Sequence, residues 1–139
     1  MNTELSERIK EDKIQFVSMQ FSDILGNTKS VTIPVDQLSK ALKDGVWFDG
    51  SSIEGFARIY ESDRILIPDP QTYRVLPWSV PERRRARLFC DVYGPDGNPS
   101  PSDPRTALKR MMARAAEMGY IYNTGPELEF FIFERNNNH

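Results

Sequence analysis

The sequence is poor in the residues that most often announce chemistry. Its 139 residues include one cysteine, Cys90, and one histidine, His139. A single cysteine closes no internal disulfide, so no disulfide framework is expected. Cys90 sits in the apolar alternation around Phe89 and Val92, which favours a buried thiol over a nucleophile. A lone histidine in the ragged run Asn136–His139 supplies neither the imidazole of a hydrolase triad nor a histidine-bearing metal site. No glycine-rich phosphate loop of the Walker kind occurs, nor any internal repeat. Long hydrophobic runs are missing too. Stretches such as Phe130 to Phe133 are far too short to span a bilayer. Met1 to Asp12 is polar and holds no apolar region of a secretion signal. A net charge of −2 offers no general attraction to nucleic acid or anionic lipid. These absences point to the cytoplasm, with no nucleic-acid or membrane partner expected.

What is present is an ordinary globular composition, 39% hydrophobic and 27% charged. That suffices for one modest core and part of a second unit. Thr3 to Asp12 is a short polar helix candidate with Leu5 and Ile9 at helical spacing. Lys13 to Phe21 alternates as a strand, Asp23 to Asn27 supplies turn residues, and Ser30 to Pro34 returns, which is a hairpin signal. A short helix is expected from Val35, with Leu38, Ala41 and Leu42 on one face and Gly45 as its stop. A Gly/Ser-rich loop follows within Trp47 to Trp78. After it come the strands Arg64–Ile67, Tyr73–Leu76 and Arg87–Tyr93, with Pro68-Asp69-Pro70 as a turn. The expected fold class is therefore α+β, a small mixed sheet covered on one face, which a β-grasp domain fits. The proline-rich linker Pro99 to Pro104 divides residues 1–101, with 1–12 as a helical extension, from a second unit over 102–139. Asp103 is placed to cap a helix that Pro104 begins. Leu108, Met111, Met112, Ala115 and Met118 give that helix an apolar stripe expected in a core. Tyr120 to Glu134 is expected as strand, turn and strand.

Glu127 and Glu129 alternate onto one face of that last strand, roughly 6–7 Å apart at strand rise. Two like charges so placed repel, and burial beside Phe131 and Phe133 adds a desolvation cost that a cation would offset. Carboxylate oxygens are hard ligands suited to Mg²⁺ or Mn²⁺. A solvated edge strand explains the same spacing equally well. Asp49-Gly50-Ser51-Ser52 brings a carboxylate and hydroxyls into one tight loop, able to hold ammonium or act as a base; an ordinary turn uses the same residues. Arg83-Arg84-Arg85 with Arg87 lacks an interleaved aromatic platform and is better taken as a solvated turn. Arg110 and Arg114 are taken as a wet helix face.

Taken in order, the motifs resemble glutamine synthetase of the prokaryotic type I class. Phe21 to Gly26, Val46 to Phe56, Glu61-Ser62-Asp63, Pro68-Asp69-Pro70, Pro77-Trp78, Gly94 to Gly97 and Gly125 to Phe131 follow that family's sequence, from about Phe16 to Phe133. The resemblance implies an ATP-dependent ligase that phosphorylates glutamate and displaces the phosphate with ammonia, a β-grasp amino-terminal domain, and stacked hexameric rings making a dodecamer. It implies that Glu127 and Glu129 contact divalent ions (Mg²⁺ or Mn²⁺). It implies that Asp49, with Ser52 nearby, enters a neighbouring subunit's site to bind and deprotonate ammonium. Arg58 resembles the arginine of the subgroup restrained by glutamine feedback. The ATP-contacting residues and the remaining ligands would lie downstream, so the chain is expected to be an amino-terminal part, inactive alone. Arg64 and Arg83 to Arg85 depart from the family's pattern at surface positions. Two alternatives remain, a β-grasp binding or assembly module and a glutamate–amine ligase of the same family.

Overall fold

The computed structural model describes residues 3–51, 53 and 63–134. Helix α1 (Thr3–Glu11) buries Leu5 and Ile9 from one face. It stops at Lys13, whose φ of 52° is left-handed, and Ile14 N–H donates back to the Ile9 carbonyl at 3.1 Å. Strand β1 (Phe16–Ser22) then pairs antiparallel with β2 (Thr28–Pro34), Val17 opposite Ile33 and Met19 opposite Val31. Asp23 locks the connecting turn. Its buried carboxylate accepts from the Leu25 and Asn27 backbone at 3.0 and 2.8 Å and from Asn27 Nδ2 at 3.1 Å.

A single 3-10 turn, Val35–Gln37, leads into α2 (Leu38–Asp44), which buries Leu38 and Ala41. Gly45 ends it with φ of 76°, and a Cβ there would collide with Ile65 and lie 3.0 Å from the Leu66 carbonyl. Only glycine serves at such a position. Strands β3 (Val46–Asp49), β4 (Asp63–Pro68), β5 (Arg74–Val75) and β6 (Arg85–Tyr93) complete a 6-stranded sheet in the order β2-β1-β6-β4-β3, with β5 also against β6. The central pair β1–β6 is parallel and the other pairings are antiparallel. Alternation places Val17, Met19, Ala86, Leu88, Cys90 and Val92 on one face, where they form the core with residues of α1 and α2. This is the mixed α+β sheet expected of a β-grasp domain. Tyr73 joins that core and pins α1. Its hydroxyl donates to Asp12 Oδ2 at 2.7 Å, and the Arg8 guanidinium lies 4.8 Å from its ring centre.

Three expectations need correction. Strand β3 was hidden in the stretch taken as loop, because alternating Trp47 and Asp49 face solvent. Helix α3 (Pro104–Glu117) forms as expected, capped by Asp103 with Pro104 first. Its stripe, however, is not core: Leu108, Met111, Met112 and Met118 are 46 to 63% exposed. The expected strand over Tyr120 to Glu134 is also absent, for none of those residues is hydrogen-bonded as strand. Both misses share a cause. Periodicity marks the side a segment will bury, but burial and strand pairing need a partner surface, and none among the described residues covers these.

Candidate functional site

The Asp49 loop springs from the sheet's outer edge. Among the described residues strand β3 pairs with β4 alone. Within β3, Val46 and Phe48 turn inward, and Phe48 meets the Phe21 ring at 4.8 Å between centroids. Trp47 and Asp49 therefore share the opposite, exposed side. The Asp49 carboxylate accepts from Ser51 N–H at 2.8 Å, and Ile53 N–H donates to the Gly50 carbonyl at 3.0 Å. The hydrogen bond to residue i+2 is an Asx turn, which fixes the carboxylate's direction while leaving it in contact with solvent. The turn and functional readings are thus compatible. Ser52 and Arg58, the other candidates of this region, lie outside the described residues.

Glu127 and Glu129 lie in the exposed segment after α3. Leu128 and Phe131 beside them are 90 and 88% exposed. The Phe131 and Phe133 rings stand 6.2 Å apart between centroids. In donor chemistry the pair suits a divalent ion, since both are hard oxygen ligands. In number it supplies only part of a shell of about six oxygens. Among the described residues no group of three or more histidine, cysteine, aspartate or glutamate side chains forms a metal cluster. Sequence reasoning brought these acids to notice, and the structure leaves them at the surface.

A charged cluster that sequence reasoning missed lies where the sheet meets α3. Arg105 Nε donates to Asp91 Oδ1 at 2.8 Å, and its Nη2 donates to Asp69 Oδ2. Lys109 Nζ reaches Asp91 Oδ2 at 2.5 Å. Asp103, 1% exposed, accepts from the backbone of Arg105, Thr106 and Val92, each at 3.2 Å. Only Arg105 and Lys109, four residues apart on the first turns, hinted at it. Cys90 is buried as expected, and burial, with the neighbouring Asp91 charge, pushes its thiol up to about 12. That thiol is a packing group at neutral pH.

Comparison with known proteins adds the wider context. Residues 13–95 match the family profile described as the glutamine synthetase β-Grasp domain, and residues 101–139 match that of the glutamine synthetase catalytic domain. The chain is 52% identical over 128 residues to a glutamine synthetase of Methanosarcina mazei, covering 92% of this chain and 29% of that protein. A Thermotoga maritima glutamine synthetase is 49% identical over 128 residues, again covering 92% of this chain and 29% of the relative. Among solved structures, GmaS in complex with ADP superposes with a TM-score of 0.74 at 31% identity, over 82% of this chain and 26% of that one. The chain thus spans about 29% of the length of these curated relatives.

Proposed function

The chain belongs to the glutamine synthetase family, and from that premise we propose that it is the amino-terminal part of a ligase joining ammonia to glutamate through γ-glutamyl phosphate at the expense of ATP. The observation that carries the reading is the succession of two matched regions, 13–95 and 101–139, each bearing one of the acidic features found from the sequence. Residues 1–101 are then the β-grasp domain and 102–139 the start of the catalytic domain. The nucleotide assignment is supported by a structural relative that binds ADP.

In this reading Asp49 carries the ammonium step. The reading is supported by an exposed carboxylate held by its Asx turn at the end of β3. That carboxylate accepts hydrogen bonds from ammonium, lowering the cost of desolvating that cation, and takes its proton as ammonia attacks. Ser52 adds a hydroxyl beside it. Glu127 and Glu129 hold Mg²⁺ or Mn²⁺ together with ligands from the rest of the enzyme. Bound there, the ions supply charge neutralisation to the transferring phosphoryl group. The enzyme works in the cytoplasm as a dodecamer of stacked hexameric rings, and Arg58 takes part in glutamine feedback.

The test uses the longer enzyme from the native source. It should form glutamine and inorganic phosphate from glutamate, ATP and ammonium, with Mg²⁺ or Mn²⁺ required. Glu129→Ala should lower turnover by orders of magnitude while assembly persists. Near-normal turnover and metal dependence in that variant would return Glu129 to a solvated surface position.

A further inference from the structure

We propose, resting on the shared-site reading above, that Arg105 is a positioning residue whose fork clasps α3 to the β-grasp sheet and thereby sets where the Asp49 loop stands relative to a neighbouring chain's acidic pair. The clasp is built from two separate pieces of the sheet. Asp91 lies on β6, and Asp69 follows β4. The guanidinium donates to both, and its planar, fixed donor geometry defines a direction that a lysine ammonium does not. Asp69 is itself held, since its Oδ1 accepts from Gln71 N–H at 3.0 Å. Asp91 and Asp69 are 15 and 25% exposed, so solvent screening of the pairs is partial.

Apolar packing does little at this joint. Beside the first turn of α3 an open groove of about 280 Å³ runs between Gln20, Phe89, Pro104, Arg105 and Leu108. No residue of α3 is fully buried. Besides the clasp, the polar attachments among the described residues are the Lys109–Asp91 pair and the Asp103 cap, which ties the helix start to Val92 N–H. The cap fixes where the helix begins; the Arg105 fork, two residues on, fixes where it points. Asp49 is carried by the sheet, and Glu127 and Glu129 follow α3. A rotation at this joint therefore displaces the one relative to the other, and in a closed ring each chain's loop relative to its neighbour's acids.

Two measurements test this. In the present chain, spin labels at Lys40→Cys on α2 and Arg114→Cys on α3, both exposed sites, report the sheet–helix distance, while buried Cys90 stays unlabelled. A single narrow distance distribution is expected. Arg105→Gln should broaden it at least about twofold with the circular dichroism unchanged, and Arg105→Lys should broaden it less. An unchanged width in both variants overturns the clasp. In the longer enzyme, Arg105→Gln should raise the KM for ammonium roughly tenfold, leaving glutamate-dependent ATP hydrolysis without ammonium intact. A fall in kcat with unchanged ammonium KM makes Arg105 merely structural and overturns the proposal. A parent enzyme that does not use ammonium overturns the functional reading instead, while the distance measurement still judges the clasp.

Discussion

The sheet and the segment after it are built from similar residues and end in opposite states. In the sheet, Val17, Met19, Leu66, Leu88 and Val92 are 0% exposed. In the segment beyond α3, Leu128, Phe131, Ile132 and Phe133 are 83 to 90% exposed. Hydrophobicity is comparable, so the difference lies in partners. The β-grasp sheet closes over its own helices, whereas the later apolar side chains have no covering surface among the described residues. Exposed apolar area of this kind marks a surface made for contact. In the proposed function the division also separates two duties. The self-sufficient sheet presents Asp49 from its edge, and the dependent segment carries Glu127 and Glu129.

The sharpest way to break this contrast is a pair of matched truncations. Leu88→Ala should cost about 2–5 kcal/mol, because it empties a filled core position. Phe131→Ala, a larger deletion, should change the stability of this chain by less than about 0.5 kcal/mol, as for an exposed residue. Urea denaturation followed by circular dichroism measures both. Comparable losses would mean that Phe131 is packed and that the two regions do not differ. Next in size is the boundary itself. Asp103→Ala removes a buried cap and leaves Val92 N–H without its acceptor, at about 2–3 kcal/mol by the same measurement. A change under about 0.5 kcal/mol would place the joint outside the cooperative unit.

The last effect is an alkaline pH response of the core beneath the sheet. Cys90 has its folded pKa raised from 9.0 to about 12, by burial and then by Asp91. Stability from keeping the thiol protonated is full below pH 9 and is lost as pH climbs toward 12, at no more than about 1.4 kcal/mol per unit. Burial and the hydrogen bond to Asp12 raise the Tyr73 hydroxyl as well, adding a loss above pH 10. Cys90→Val should flatten the first part of the decline, and Tyr73→Phe the second. An identical alkaline slope in both variants would assign the loss to other groups.

Most of the sheet was legible before any coordinates. Alternation marked β1, β2, β4 and β6, Gly45 marked a helix end that only glycine allows, and Asp103-Pro104 marked a helix start. Strand β3 was not legible, since a short strand with Trp47 and Asp49 outward looks like the loop it joins. The apolar stripe of α3 and the alternation around Glu127 were seen correctly as patterns and wrongly as burial or pairing, because a pattern does not state whether its partner is present. Of the site, Asp49 with its turn and the two glutamates were legible as chemistry, and the hydrogen bond from Ser51 N–H that holds the Asp49 carboxylate was not. Arg105 was missed because its partners Asp69 and Asp91 lie 36 and 14 residues away. Long-range charge pairing leaves no local period in a sequence.

The central claim is that one chain's sheet edge completes another chain's acidic site, and mixing defective subunits of the longer enzyme tests it most directly. Asp49→Ala alone should leave glutamate phosphorylation possible and reduce the use of ammonium by roughly 10²–10⁴-fold, the range for losing a general base. Glu129→Ala alone should disable the metal side. Differently tagged subunits of the two kinds, reassembled and purified through both tags, should regain part of the glutamine-forming activity, because some sites then combine an intact Asp49 with an intact Glu129. Doubly tagged assemblies that stay inactive would contradict the account and make Asp49 a residue of its own chain's site or of a structural turn.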